Sequence, residues 1–189
     1  MATAFNLDPA YRRISVEEFL ELEFFGAKAE LEDGLIFMMA GGSPDHALVA
    51  ANVLTFLRTK LRGSGCLPYG SDLAVRTGER STRFPDVSVY CRTLSEEERS
   101  RKLIGDPQVV FEVLSPSTAS LDQKTKLPEY QGLAGVQEVV FVDLVAERVR
   151  LVQRTHREGW ADNWLEQGAD VPLPSLGLTI PHAEIFARD

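Results

Sequence analysis

The feature that most constrains this chain is an apolar segment with a single carboxylate inside it, Val109-Val110-Phe111-Glu112-Val113-Leu114. Its length and β-branched content predict a central strand buried on both faces. An ionised carboxylate in such a strand is strongly unfavourable unless it is paired, protonated or bound to a cation. Glu112 therefore requires a partner from elsewhere in the chain.

A second acid stands at the opening of another apolar strand. Asp86 follows Pro85, which is tolerated only near a strand start or edge, and precedes Val87-Ser88-Val89-Tyr90. If the two strands are neighbours, Asp86 and Glu112 approach closely and repel each other unless a divalent cation lies between them. Each acid alone also has a structural interpretation, in which Asp86 caps a turn and Glu112 pairs with a buried Arg or Lys. Together they favour a metal-binding pair.

The segments before these strands predict helices and one hairpin. Ser15 and Glu18 form the capping-box pattern that opens a helix ending near Glu23. Asp33-Gly34 supplies the tight turn of a hairpin over residues 29–40. A second helix starts at residues 43–45 and ends at Gly63. Its predicted apolar face comprises Ala47, Ala50, Leu54, Leu57 and Leu61.

Most of the remaining sequence predicts β-strands. Residues 69–77 and 83–91 predict one antiparallel pair, residues 95–101 an exposed connector, and residues 138–143 and 148–154 another strand pair. A helical stretch through Gly132 follows the strand that contains Glu112. Since no repeat or low-complexity linker divides the sequence, we expect a single mixed α/β domain over residues 1–189.

Charge and cysteine content exclude several classes of protein. With 28 acidic and 20 basic residues, the net charge of −8 excludes a globally basic protein that coats nucleic acid. Cys66 and Cys91 are not accompanied by other Cys or His residues at metal-ligand spacing, so we expect neither a disulfide framework nor a zinc site. The low cysteine content is typical of a protein in the reducing cytoplasm, and we expect that location. No apolar run is long enough to span a membrane, and no signal peptide is recognisable.

The motif order resembles a known family. Pro85-Asp86, Glu112, Ser115-Pro116-Ser117-Thr118 and then Asp122, Lys126 and Tyr130 at four-residue intervals resemble the Uma-two endonucleases of the PD-(D/E)XK restriction-endonuclease-like superfamily. Glu30 before the Asp33-Gly34 turn and His46 at a helix start match the family as well. The resemblance implies a restriction-endonuclease-like mixed β-sheet core flanked by helices, with extra antiparallel strands.

The resemblance also implies an activity and its residues. It implies an endonuclease that hydrolyses DNA phosphodiester bonds with Mg²⁺, which Mn²⁺ can replace, and that acts as a homodimer. Asp86 and Glu112 would bind the metal as hard oxygen ligands. Glu30 would add a metal contact or orient a water, against the alternative of a solvated hairpin acid. His46 would be a general base or phosphate contact, against the alternative of a core or capping residue.

One position departs from the superfamily pattern. Leu114 occupies the place of the lysine expected two residues after Glu112, so a lysine must come from another element. Lys126 is the predicted catalytic lysine, with Lys124 as the second candidate. Pro128 disfavours a regular helix here and affects which of the two lysines points inward.

The acidic net charge and Leu114 leave two alternatives open. One is a catalytically silent nuclease-fold protein that acts in binding, and the other is a hydrolase of small phosphodiesters or nucleotides. Binding of a nucleic acid would require a local basic patch, a groove formed by dimerisation, or Mg²⁺. The predicted patch comprises Arg76, Arg80, Arg83, Lys124 and Lys126.

Overall fold

Two β-sheets form the framework of the protein in a computed structural model that describes residues 12–25, 27–39, 41–115, 119–155 and 159–188, with only the backbone of 119–122. The larger sheet has the order β11-β10-β9-β8-β6-β3 and the smaller one β2-β1-β5-β4-β7. The larger sheet comprises β3 (Leu67–Gly70), β6 (Val87–Tyr90), β8 (Val109–Leu114), β9 (Glu138–Asp143), β10 (Arg148–Arg154) and β11 (Trp160–Trp164). The smaller sheet comprises β1 (Lys28–Glu32), β2 (Leu35–Met39), β4 (Ala74–Gly78), β5 (Ser81–Arg83) and β7 (Leu103–Gly105).

Five helices and a short hairpin complete the described part of the chain. The helices are α1 (Val16–Glu21), α2 (Pro44–Lys60), α3 (Glu96–Ser100), α4 (Ala119–Gln131) and α5 (His182–Ile185). The hairpin consists of β12 (Val171–Leu173) and β13 (Leu178–Ile180), joined by a 3-10 turn at Pro174–Leu176. The mixed α/β class predicted from the sequence is confirmed. None of the described helices is long and apolar enough to cross a membrane.

Strand β8 is the central, fully buried strand that its sequence predicts. It pairs antiparallel with β6 and parallel with β9, and α4 makes the crossover between the two parallel strands. Val109, Phe111 and Val113 pack toward α2, whereas Val110 and Leu114 pack with Leu127 and Tyr130 of α4. Because side chains alternate along a strand, Glu112 faces α4.

The predicted N-terminal elements form with local signals that explain them. Ser15 caps α1 by accepting a hydrogen bond from the Glu18 amide. Asp33 and Gly34 both have positive φ, as the tight turn between β1 and β2 requires. Helix α2 starts at the predicted cap, Ser43. Of its predicted apolar face, Leu57 and Leu61 are buried and Ala50 and Leu54 pack against the core, whereas Ala47 is exposed; Val49 and Val53 complete the buried face. The larger sheet packs against the side of α2 that carries Val49 and Val53.

Two predictions of secondary structure were wrong in detail. Residues 69–77 and 83–91 do not form one long pair: β3 pairs with β6 in the larger sheet, and β4 pairs with β5 in the smaller one. Residues 96–100 form helix α3, because Ser95 and Glu98 make a complete capping box.

The expectation of unpaired cysteines is also wrong. Cys66 and Cys91 form a disulfide, since they extend the antiparallel β3–β6 pair by one position beyond Leu67 and Tyr90. The 25-residue separation of the two cysteines does not by itself indicate that they face each other across two strands. The cytoplasmic location stays a prediction, without support from the cysteines.

Candidate active site

The candidate active site lies where the two sheets meet beneath α4, and Asp86 stands at its more exposed end. Asp86 immediately precedes β6, and its Oδ2 accepts a hydrogen bond of 2.7 Å from the amide of Val113 on the neighbouring β8. The β6–β8 pairing therefore brings Asp86 beside the segment that carries Glu112, as the sequence predicts for neighbouring strands. Only 13% of the Asp86 side chain is exposed.

Glu112 is buried and has two hydrogen-bonding partners on α4. The hydroxyl of Tyr130 donates to its Oε1 at 2.6 Å, and Nζ of Lys126 donates to its Oε2 at 3.3 Å. Burial raises the pKa of Glu112, the charge of Lys126 opposes this effect and the charges of Asp86 and Glu30 add to it, with a net pKa of about 8. Burial also raises the pKa of Tyr130, so its hydroxyl stays a donor at neutral pH.

Lys126 bridges two carboxylates from different sheets. Its Nζ lies 3.3 Å from Glu112 on β8 and 3.2 Å from Oε1 of Glu30 on β1. Helix α4 continues through Pro128 to Gln131, so Lys126 and Tyr130 both point inward from one face of it. Lys124 is exposed on another face. Lys126 of α4 thus places an amino group beside Glu112, which the apolar side chain of Leu114 cannot do.

Glu30 is held in place by a buried arginine. Its Oε2 accepts from Nη1 of Arg83 at 3.2 Å, and its Oε1 accepts from the amide of Phe84 at 3.1 Å. The Arg83 guanidinium also binds Glu129 through two hydrogen bonds of 2.6 and 2.8 Å and Glu32 through one of 3.0 Å. Burial alone would lower the pKa of Arg83, but the hydrogen bonds and charges of these carboxylates raise it overall.

His46 lies beside Asp86 at the rim of the site. Its Nε2 is 3.4 Å from Asp86 Oδ2, and 20% of its side chain is exposed. The hydrogen bond with Asp86 raises the pKa of His46, and the backbone of Val113 contributes in the same direction. A larger residue at Gly42 would displace this ring, because a Cβ atom at that position would lie 2.8 Å from Nδ1 of His46. Ser43 caps the His46 amide, so the first turn of α2 fixes the ring beside Asp86.

The donor set of this site fits a hard divalent cation that keeps water ligands. Within the described residues, no group of three or more His, Cys, Asp and Glu side chains is arranged as a preformed metal site. Mg²⁺ is commonly held by only one or two carboxylates together with water. Asp86 and Glu112 supply that number. Five carboxyl groups surround the site against the two basic side chains of Arg83 and Lys126; they are Glu30, Glu32, Asp86, Glu112 and Glu129.

The structure brings together five of the six predicted site residues and separates one. Glu30, Asp86, Glu112, Lys126 and His46 form one connected group, and Lys124 lies outside it. The side chain of Asp122 and residues Pro116 to Thr118 lie outside the described residues.

Four residues of the network were missed as site residues: Glu32, Arg83, Glu129 and Tyr130. The four-residue spacing of Tyr130 from Lys126 was a signal for the tyrosine. Nothing in the sequence pairs Arg83 with Glu129, because their contact depends on how α4 lies across β5.

The predicted basic patch is wrong. Arg83 and Lys126 are buried and neutralised by carboxylates, as described above. Arg76 pairs with Glu17, and Arg80 pairs with Asp33. Lys124 alone of the five is exposed without an ion pair to another described residue. These five residues therefore do not form an uncompensated basic patch.

Comparison with known proteins identifies the family of this chain. A family model named Uma2 and described as "Putative restriction endonuclease" matches residues 16–183. Two uncharacterized proteins of Synechocystis are similar along most of their length. The protein slr1290 is 29% identical over 89% of this chain and 89% of its own, and sll1609 is 26% identical over 78% and 84%.

A solved structure has the same fold. It is described as a putative nuclease belonging to DUF820, from Anabaena variabilis. Its TM-score is 0.76 with 19% sequence identity, and the match covers 92% of this chain and 98% of that one.

Proposed function

Because the chain belongs to the Uma2 restriction-endonuclease-like family, we propose that it is a divalent-metal-dependent endonuclease that hydrolyses phosphodiester bonds of DNA. The observation that carries this proposal is the position of Lys126. Its ammonium group lies 3.3 Å from Glu112, although it comes from α4 and not from the strand. Although position 114 is a leucine, Lys126 therefore supplies a basic group beside Glu112.

Asp86 and Glu112 are the residues that would hold the metal, preferably Mg²⁺ with Mn²⁺ as a substitute. When bound, the metal would lower the pKa of a water ligand and offset the charge that develops on the phosphate. The Val113 amide fixes the orientation of Asp86, and Tyr130 and Lys126 fix that of Glu112. Lys126 would stabilise negative charge on the reacting phosphate.

The rim of the site sets how the substrate would approach. Glu30, Glu112 and Lys126 are all nearly inaccessible, whereas the side chains of Asp86 and His46 are partly exposed. The phosphate would therefore enter beside Asp86, where the His46 ring can contact one of its oxygens. Glu30 would act as a positioning residue, because it holds Lys126 from the side opposite Glu112.

A catalytically silent, binding protein is the second candidate, and one observation favours it. Both oxygens of Glu112 already accept hydrogen bonds, from Tyr130 and Lys126. The polar atoms of Glu112 are therefore satisfied by protein groups without a metal. Binding of metal by this protein would require Glu112 to exchange at least one partner.

Cleavage of plasmid, linear duplex and single-stranded DNA in Mg²⁺ or Mn²⁺ tests the proposal. We expect Asp86→Ala to reduce cleavage at least about 100-fold while the melting temperature stays close to that of the wild type. Asp72→Ala is the matched control, because Asp72 is an exposed aspartate that pairs only with Lys28 among described residues. Equal cleavage by Asp86→Ala and the wild type would refute the assignment. A wild type that binds Mn²⁺ but cleaves no substrate would favour the silent protein.

A further inference from the structure

Three exposed cations without a described acidic partner, Arg58, Lys60 and Arg62, lie close together at the far end of α2, whereas others such as Lys124 and Arg148 lie apart from one another. Most surface arginines pair with a carboxylate, as Arg76 does with Glu17 and Arg150 with Asp162. Within the described part of the chain, the side chains of Arg58 and Arg62 form no hydrogen bond or ion pair. Both are exposed. In a chain with a net charge of −8, this concentration of uncompensated positive charge is unusual.

These two arginines line a cavity of about 380 Å³ that we call the arginine pocket. It lies between the end of α2, the loop that follows it and the segment around α3. Its lining residues include the four arginines Arg58, Arg62, Arg92 and Arg99 and no acidic residue. Arg92 is neutralised by Glu98, and Arg99 donates from Nε to the carbonyl of Leu94. Three guanidinium groups therefore have donors left for an anion.

Helix stability accounts for only part of this cluster. A cation in the last turn of α2, such as Arg58, interacts favourably with the partial negative charge at the helix end. Arg62 lies beyond the last helical residue, and Arg99 comes from α3. Like charges that converge from three segments repel one another, so their arrangement is explained better by a negatively charged ligand.

The arginine pocket and the candidate active site lie at opposite ends of the same pair of elements. Helix α2 packs on β3 and β6. It begins near His46 and rises roughly 18 Å to Arg58, at 1.5 Å per residue. The strand beside it begins after Asp86 and extends about 20 Å to Arg92. At 3.4 Å per nucleotide along one strand of a duplex, this span corresponds to about five or six base pairs.

We propose that the arginine pocket binds a backbone phosphate of the nucleic acid substrate, several nucleotides away from the bond that is cleaved. This inference rests on the proposed function, and it names the surface that attracts the substrate. It also accounts for nucleic acid binding by an acidic protein, because the cations that contact phosphate are separated from the acidic active site. Phosphate contacts of this kind position a substrate without reading its sequence.

Binding without turnover tests the proposal. Fluorescence anisotropy of a labelled duplex of about 20 base pairs is measured in EDTA with the full-length wild type and Arg58→Gln/Arg62→Gln. The control is Arg148→Gln/Arg188→Gln, which removes the same charge from exposed arginines at β10, three strands from β6, and at the C-terminal segment. Circular dichroism and melting temperature verify that both variants are folded.

We expect the pocket variant to bind the duplex about tenfold more weakly at about 0.1 M salt, with a salt-dependence slope smaller by about 1.8. The control is expected to stay within about twofold of the wild type. Equal effects of the two variants would overturn the proposal, because net charge alone would then explain binding. An unchanged affinity of the pocket variant would overturn it as well.

A second measurement distinguishes a nucleic acid from a small anion. Inorganic phosphate and pyrophosphate are titrated into the ¹⁵N-labelled protein, with the amides of Gly63 and Gly65 as reporters of the pocket. Shifts there without any effect of the pocket variant on duplex binding would assign the pocket to a small phosphate and overturn the proposal. If the wild type cleaves no DNA but binds the duplex through Arg58 and Arg62, the nuclease activity fails and the pocket assignment stands.

Discussion

Replacement of Arg83 with Met is expected to destabilise the protein severely, because it removes the only cation shared by three carboxylates of the described network. The Arg83 side chain is 3% exposed and donates four hydrogen bonds, to Glu30, Glu32 and Glu129. Met retains the apolar volume of the stem, so the loss is mainly one of charge and hydrogen bonds. Removing one partner of a buried ion pair costs about 3–5 kcal/mol. For a domain of this size, that free energy corresponds to a decrease in melting temperature of roughly 6–20 °C.

Thermal and urea denaturation of the metal-free protein measure this loss, with Arg101→Met as the control. Arg101 pairs with Glu97 at the surface, where 57% and 75% of the two side chains are exposed. An exposed pair of this kind contributes at most about 1 kcal/mol. The reasoning would be refuted if Arg83→Met cost no more stability than Arg101→Met. In that case the carboxylates around Arg83 would be satisfied without it.

Three further predictions concern the site and the disulfide. Lys126→Met is expected to reduce DNA cleavage at least about 100-fold, whereas Lys124→Met, at an exposed position, retains it; the reverse order would contradict the placement of Lys126. Because burial raises the pKa of Glu112 from about 4.5 to about 8, the folded chain holds an extra proton between these values. Stability of the metal-free protein should therefore fall as pH rises through this range, and a melting curve series should show a weaker decline for Glu112→Gln. Reduction of Cys66–Cys91, verified by thiol titration, should lower the free energy of unfolding by about 3.5 kcal/mol, as the 25-residue separation implies; an unchanged melting temperature would argue against the bridge.

The candidate site was predictable where its residues carry local signals. Glu112 stands out because a carboxylate within an apolar strand must be compensated, whatever the fold around it. Asp86 stands out because Pro85 places it at a strand start. Because Leu114 stands where a lysine is expected, the sequence indicates that a lysine from another element, Lys126, takes its place. The four-residue spacing between Lys126 and Tyr130 indicates that both lie on one face of a helix. These signals depend only on residues that are close in sequence.

The remaining contacts depend on distances between elements, which no local pattern encodes. Arg83 appeared to be a surface cation, but the approach of α4 to β5 buries it among Glu30, Glu32 and Glu129. Cys66 and Cys91 lie together because of the β3–β6 register. The predicted basic patch failed for the same reason, since its members find acids in other elements.

The sequence by itself determined the hairpin at Asp33-Gly34, the caps at Ser15 and Ser43, the buried strand β8 and the need of Glu112 for a partner, because backbone preferences and burial act locally. Only the tertiary structure decided which lysine reaches Glu112, how Arg83 is neutralised and where uncompensated arginines remain. Those outcomes follow from the packing of α4 and α2 on opposite faces of the larger sheet, and packing brings together residues that are far apart in the chain.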